Sequence, residues 1–277
     1  MFEKITGHAT AKEILAKDIE NDQVSHAYLF SGIEGIGKKG LAIEFAKELL
    51  NTELLDACID YKFIEMPEDK KEIPVDLIRE KIVNDVHVAP ATGKYKVYII
   101  NDAELMNASG QNALLKTLEE PPKYVVIILI TNKKQELLTT VISRVKQVDF
   151  AGLEDKDIEY LLKVMKDEQI DKNKLKYANG SLKVAIELVN TEDNKYMKLH
   201  ELYLAIKKQE MLRAMKLIEQ ISFKDDETFK YLQHIYLENG EYAKIQEVEY
   251  ARKRMLENAN EDILKQAMIL KLMERSI

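Results

Sequence analysis

An α/β fold with a mostly parallel sheet, passing into an all-helical second half, is the class that this sequence predicts. Three observations predict it. Short apolar runs alternate with helix-spaced segments up to about residue 150, the pattern of a parallel sheet covered on both faces. Residues 27–50, AYLFSGIEGIGKKGLAIEFAKELL, read as a buried strand, a glycine loop and a helix in immediate succession. From about residue 151 onward the apolar spacing is helical throughout.

The elements follow in chain order. Ile14, Leu15 and Ile19 stand at helical spacing, so a helix precedes the first strand. Residues 27–30 are that strand, and Leu41, Phe45 and Leu49 repeat every four residues on the helix after the loop. A second strand is expected at 61–64. Pro74 then opens a helix whose Val75, Ile78 and Ile82 share a face, because proline is tolerated in a first turn. Residues 96–101, KVYIIN, form a third strand, and 108–120 a helix that must stop before Pro121-Pro122, since proline lacks the amide and restricts its predecessor. Residues 125–131 are the fourth and most apolar strand, 137–143 a short helix, and 145–150 an alternating outer strand. Ile158, Leu161, Leu162 and Met165 define one further helix; Leu182, Ala185, Ile186 and Val189 define another, with Ser181 placed to cap it. The polar run 190–195 reads as a hinge, followed by four or five amphipathic helices that include 211–221, 229–237 and 263–273.

The loop Gly32-Ile33-Glu34-Gly35-Ile36-Gly37-Lys38-Lys39 fits G-x-x-x-x-G-K and departs at the last position, where Ser or Thr is expected. In a working phosphate loop, backbone N–H groups wrap the phosphates, the lysine reaches the terminal ones, and the hydroxyl holds magnesium. Gly32, Gly35, Gly37 and Lys38 retain the cradle, while Lys39 puts a second cation where a metal ligand belongs. A strand-to-helix turn with no ligand is the alternative reading of these glycines.

Such a site needs a second strand carrying carboxylates, one to support the metal and one to polarise the attacking water. The candidate is residues 97–102, with Asn101 at the metal-side position and Asp102 next to it. Asparagine brings no negative charge, and Asp102 is shorter than a glutamate would be. Losing one metal-supporting partner costs about 10–100-fold, so two departures at one ion predict a very poor ATPase. The alternative is a polar pair that merely ends a strand.

The 277 residues, 46% apolar and 32% charged, describe an ordinary globular protein of two or three domains. No run approaches the roughly 18 apolar residues of a membrane span, and the N-terminus lacks the apolar core of a secretory signal, so the cytosol is expected. The single cysteine, Cys58, rules out an internal disulfide and a multi-cysteine zinc site. A net charge of −7 argues against autonomous nucleic-acid binding, which needs a basic face.

Residues 26–32 (HAYLFSG), 112–122 (NALLKTLEEPP) and Ser143-Arg144 resemble bacterial clamp-loader subunits of the AAA+ class, the delta-prime members of DNA polymerase III above all. The likeness covers the whole chain, including Asn258-Ala259-Asn260 before the last helix, and implies that the C-terminus is not missing. It implies a P-loop (RecA-like) AAA+ nucleotide-binding domain over 1–150, a small helical lid over 151–192, and a helical collar over 193–277 through which five subunits form a ring. In that family ATP lies between neighbours, and an arginine of a Ser-Arg-Cys motif completes each site. Here the segment is Ser143-Arg144-Val145, which implies that Arg144 is catalytic in trans. An arginine finger is worth about 10³–10⁵ in rate, or roughly 4–7 kcal/mol. By sequence alone, Arg144 would read as a surface ion pair at the lip of the sheet.

The resemblance further implies that Thr131-Asn132 sits where the family senses the terminal phosphate. Gly180-Ser181-Leu182-Lys183 resembles the lid's second sensor, with Lys183 in place of an arginine whose fork a point charge cannot reproduce. The family's four-cysteine zinc module is not expected, because residues 54–62 hold only Cys58.

The function implied is that of a delta-prime-like structural subunit that closes the ring, presents Arg144 to a neighbour's ATP and assists loading of a sliding clamp. Its partners would be the gamma/tau ATPase subunits and the delta subunit, with the clamp and primed DNA reached through the complex, and no membrane. No cofactor is required; ATP or ADP is expected to bind weakly if at all, and polymerase activity is not expected. Lys116 and Lys123 are candidates to approach DNA. Two other readings stand: an active gamma/tau-like ATPase motor of the same loader, against which Lys39 and Asn101 speak, and an unrelated P-loop phosphotransferase, disfavoured by a helical C-terminal third with no evident substrate pocket.

Overall fold

Five short apolar runs become five strands: β1 (Ala27–Ser31), β2 (Tyr61–Ile64), β3 (Lys96–Ile100), β4 (Val125–Thr131) and β5 (Lys146–Asp149). The computed structural model describes residues 1–166, 170, 172–190 and 195–274. The strands are ordered β2-β3-β4-β1-β5 and every pair is parallel. β1, β3 and β4 are buried along their whole length, as strands covered on both faces must be. β5 buries Val148 and exposes Lys146, Gln147 and Asp149, in keeping with the outer position its alternation predicts.

The helices of this part are α1 (Ala9–Glu20), α2 (Lys38–Leu50), α3 (Val75–Ile78), α4 (Ala108–Glu119), α5 (Thr139–Ile142) and α6 (Asp155–Lys166). α2 turns Leu41, Phe45 and Leu49 into the core, where Phe45 meets Tyr28 of β1 edge-on at 5.2 Å. Each such side chain contributes about 1.5–3 kcal/mol by leaving water. α4 is capped by Asn107, whose Oδ1 accepts from Gly110 N at 2.9 Å, and ends at Glu119 before the proline pair.

One expected helix changes type along its length and another is shorter than expected. The helix opened by Pro74 has one α-helical turn and continues as a π-turn over Arg79–Val83. Ile78 and Ile82 are buried as their shared face predicts, and beyond the helix the carbonyls of Asp85 and Val88 accept from the Lys96 ammonium at 3.2 and 3.4 Å. The helix expected at 137–143 starts only at Thr139, because Leu137 and Leu138 are extended, with ψ of 143° and 137°; Gln111 Oε1 accepts from Leu138 N at 2.7 Å.

The chain divides into two compact units, Met1–Leu161 with Gly180–Lys183, and Leu162–Asn179 with Val184–Ile277. The first holds the sheet. The described part of the second is helical: α7 (Lys172–Leu175), α8 (Leu182–Asn190), α9 (Lys195–Lys207), α10 (Met211–Glu219), α11 (Asp226–Glu238), α12 (Tyr242–Leu256) and α13 (Glu261–Met273), with the first residues of α8 in the other unit. Its core includes aromatic pairs such as Tyr196–Tyr231 and Phe223–Phe229, at 4.6 and 4.9 Å. Asp225 caps α11 and Asn260 caps α13. Met165 is largely exposed, unlike Ile158 and Leu162 of the same helix. The hinge expected at 190–195 and the boundary after 192 involve residues 191–194, outside the described residues. Among the described residues, no helix is long and apolar enough to cross a membrane.

Candidate functional site

The strand order brings the carboxyl ends of β1, β4 and β3 side by side, with Ser31 level with Thr131 and Ile100 level with Leu129. Crevices beyond such ends are where open α/β sheets bind ligands. The glycine loop leaves β1 there and enters α2 at Lys38, so the first N–H groups of α2 face the crevice as an anion site. Gly35 and Gly37 take left-handed φ values of 77° and 99°, which a side chain would resist.

Lys38 is 5% exposed. Its ammonium donates to Gly32 O at 2.8 Å, to Ile33 O at 2.6 Å and to Asn132 Oδ1 at 2.8 Å. Burial lowers its pKa to about 8, against the opposing pull of Glu104, Asp102 and Glu34. Lys39 turns elsewhere: its Nζ is 3.4 Å from Glu65 Oε2 and lies over the Phe63 ring at 4.5 Å.

On the carboxylate side, Asn101 Nδ2 donates to Asp102 Oδ2 at 2.8 Å, and Asn132 Nδ2 donates to Asp102 Oδ1 at 3.2 Å. Burial first, then the charges of Glu104 and Glu34, raises the Asp102 pKa. Glu104 accepts from Asn132 N at 3.1 Å through Oε1, while its Oε2 is buried without a partner. Thr131 is fully buried and its Oγ1 accepts from Lys133 N at 3.0 Å, so Asn132 is the side chain that reaches Lys38.

The segment 180–183 lies directly on the loop. Leu182 N donates to Gly35 O at 3.0 Å, Ser181 Oγ to Glu34 O at 2.8 Å, and Lys183 Nζ pairs with Glu34 Oε1 at 3.0 Å. On the other side, His8 Nε2 donates to Ile36 O at 2.6 Å. Burial lowers the His8 pKa, leaving the ring neutral at pH 7.

Arg144 stands apart. It precedes β5 at the amino end of the sheet, separated from the loop by the length of β1, five residues, or roughly 15 Å. Its Nη1 donates to Thr140 O at 2.9 Å and Ser143 Oγ at 3.2 Å, and its Nη2 is 2.7 Å from Glu119 Oε1.

The structure therefore gathers Gly32, Gly35, Gly37, Lys38, Asp102 and Lys183 around one loop, sets Thr131 beneath it, turns Lys39 toward Glu65 and leaves Arg144 at the far end. Sequence reading passed over Glu34, Glu104 and His8. Glu34, the single charge between Gly32 and Gly37, was the signal available for an ion pair with Lys183. Chemically, the cradle suits an anion that displaces the Lys38 ammonium from its three acceptors. The donor set does not fit magnesium held in the manner of a phosphate loop: position 39 has no hydroxyl, and Asn101 spends its amide on Asp102. Among the described residues, no group of three or more His, Cys, Asp or Glu is placed to hold a metal ion.

Residues 7–154, more than half of the chain, match the family model described as DNA polymerase III, delta subunit. DNA polymerase III subunit tau of Escherichia coli is 31% identical over 68% of this chain and 32% of its own length. DNA polymerase III subunit delta' of Bacillus subtilis is 33% identical over 53% of this chain and 48% of its own length. The chain thus spans less than half the length of either relative. A crystal structure of a DNA polymerase III, gamma subunit-related protein from Thermotoga maritima superposes with a TM-score of 0.50 at 19% identity, covering 96% of this chain and 98% of the other, a likeness of fold.

Proposed function

The chain belongs to the DNA polymerase III clamp-loader family and has the family's AAA+ architecture, a five-stranded parallel sheet with a helical C-terminal region, and on that premise we propose that it is a delta-prime-like stator. In this reading it completes the loader's ring beside gamma/tau and delta subunits in the cytoplasm, hydrolyses little or no ATP itself, and supplies Arg144 to the ATP bound by its neighbour. Clamp and primed DNA are engaged through the assembly, and the helical collar carries the ring contacts.

The observation that carries this reading is the state of the loop. Lys38 is held by Gly32 O, Ile33 O and Asn132, and the position that should offer a hydroxyl to magnesium is a lysine paired with Glu65. Weak ATP or ADP binding without efficient hydrolysis is the behaviour that such a cradle supports. Arg144, at the opposite end of the sheet and about one-third exposed, is in no position to act on nucleotide in its own loop. Its distance from that loop and its exposure support a role in trans.

The test is steady-state ATP turnover by the isolated chain, expected near background with or without magnesium, then DNA-stimulated turnover by the complex reconstituted with its partners. Arg144→Ala should lower hydrolysis at the one site that this arginine completes by about 10³-fold, read as a fall in total turnover by at least that site's share. Robust magnesium-dependent turnover by the isolated chain would instead support a motor subunit, a second reading that draws on the tau likeness over 68% of the chain.

A further inference from the structure

Arg144 is held by partners on α4, on α5 and at Ser143. Its guanidinium has five N–H donors: Nη1 donates to Thr140 O and Ser143 Oγ, while Nη2 forms an ion pair with Glu119 Oε1 at 2.7 Å. The side chain is 34% exposed and that of Glu119 50%. Glu119 is the last residue of α4, whose end is fixed by Pro121-Pro122, and Thr140 lies on α5. The approach to α5 is tied to α4 as well, since buried Gln111 donates to Glu136 O at 3.2 Å and accepts from Leu138 N at 2.7 Å. One corner of the fold, where the ends of α4 and α5 meet, therefore supplies the arginine's partners and leaves about a third of its side chain exposed.

We propose that Glu119 is a positioning residue for the trans-acting arginine, its ion pair fixing the direction of the guanidinium so that the exposed part of that group meets the phosphates of a neighbour's nucleotide. The proposal rests on the assignment of Arg144 under the function above. A free arginine loses much rotamer freedom when it engages a ligand, and one already held by other acceptors loses less. Because the pair is partly exposed, it adds little to the stability of the fold, so its effect falls on the geometry of the arginine. Small misplacements of a catalytic group have large effects on rate.

The experiment uses the loader reconstituted with its partner subunits, comparing the unaltered chain with Glu119→Ala, Glu119→Gln and Arg144→Ala in DNA-stimulated ATPase assays. Glu119→Ala is expected to lower kcat by about 3- to 30-fold with KM for ATP within about twofold and the melting temperature of the chain unchanged. Glu119→Gln keeps an acceptor and should recover most of the rate. If Arg144→Ala costs rate while Glu119→Ala does not, or raises it, the positioning role is overturned and the arginine assignment stands. If Arg144→Ala is itself without effect, the underlying reading fails. Equal losses in both Glu119 variants with a lowered melting temperature assign the residue to folding and overturn the proposal.

Discussion

Lys38 Nζ donates to Asn132 Oδ1 at 2.8 Å, joining the first residue of α2 to the residue that follows β4. The same asparagine donates through Nδ2 to Asp102 and through its backbone to Glu104. One side chain thus links the phosphate loop to the carboxylates after β3. The loop is ordered by contacts within the chain.

Asn132→Ala removes an acceptor from the Lys38 ammonium and a donor from Asp102. Hydrogen bonds to charged groups are worth about 1.5–3 kcal/mol each, less whatever water recovers. We expect a loss of roughly 2–4 kcal/mol in urea unfolding at pH 7; a midpoint unchanged from the unaltered chain would show that these bonds carry no weight.

Lys38 titrates near 8 in the folded chain, below its ordinary value of 10.5. Burial therefore costs stability below about 8, and the cost is relieved as pH rises toward 10.5, where the unfolded chain also loses its proton. Anion binding runs the opposite way: affinity for pyrophosphate should fall as pH passes 8, by up to about tenfold per pH unit, in calorimetric titrations. Lys38→Met should bind weakly at every pH.

Asp102 shows the complementary sign. Its folded pKa lies above the ordinary 3.8, so its contribution to stability is present below that value and is lost as pH rises through the folded value. Asp102→Asn should flatten this part of the pH–stability profile and gain on the unaltered chain toward neutrality, as followed by chemical denaturation from pH 3 to 7.

Lys39→Thr with Asn101→Asp restores the chemistry of both missing metal partners. The pair should raise ATP affinity in magnesium over that in EDTA by about 10–100-fold. An unchanged magnesium effect would mean that the carboxylate pair or the Lys38 contacts, not the two substitutions, keep the ion out.

Gly35→Ala places a Cβ 2.4 Å from Lys183 Cβ and 2.7 Å from Ser181 Oγ, at a φ of 77°. It should push residues 181–183 off the loop, costing about 1–3 kcal/mol and removing protection of the Leu182 amide in hydrogen exchange. Gly37→Ala meets only His8 Nε2, at 3.9 Å, and should cost less.

The strands were legible because parallel strands buried on both faces must be nearly continuously apolar, as at residues 97–100 and 125–130. The end of α4 was legible from two prolines. The π-turn after Ile78 and the late start of α5 were not, because they are set by local backbone conformation that apolar spacing does not encode, Leu137 and Leu138 being extended.

What the sequence by itself determined is the inventory of the site: glycines that can cradle an anion, a lysine to meet it, no hydroxyl at 39, no carboxylate at 101, and an arginine after Ser143. Those properties belong to single residues and need no fold. Only the tertiary structure decided who partners whom. Lys38 with Asn132, Glu34 with Lys183 and Glu119 with Arg144 lie 94, 149 and 25 residues apart in the chain. Such pairs form where strand order and helix ends bring charges within hydrogen-bond reach, and that distance is a property of the packed sheet.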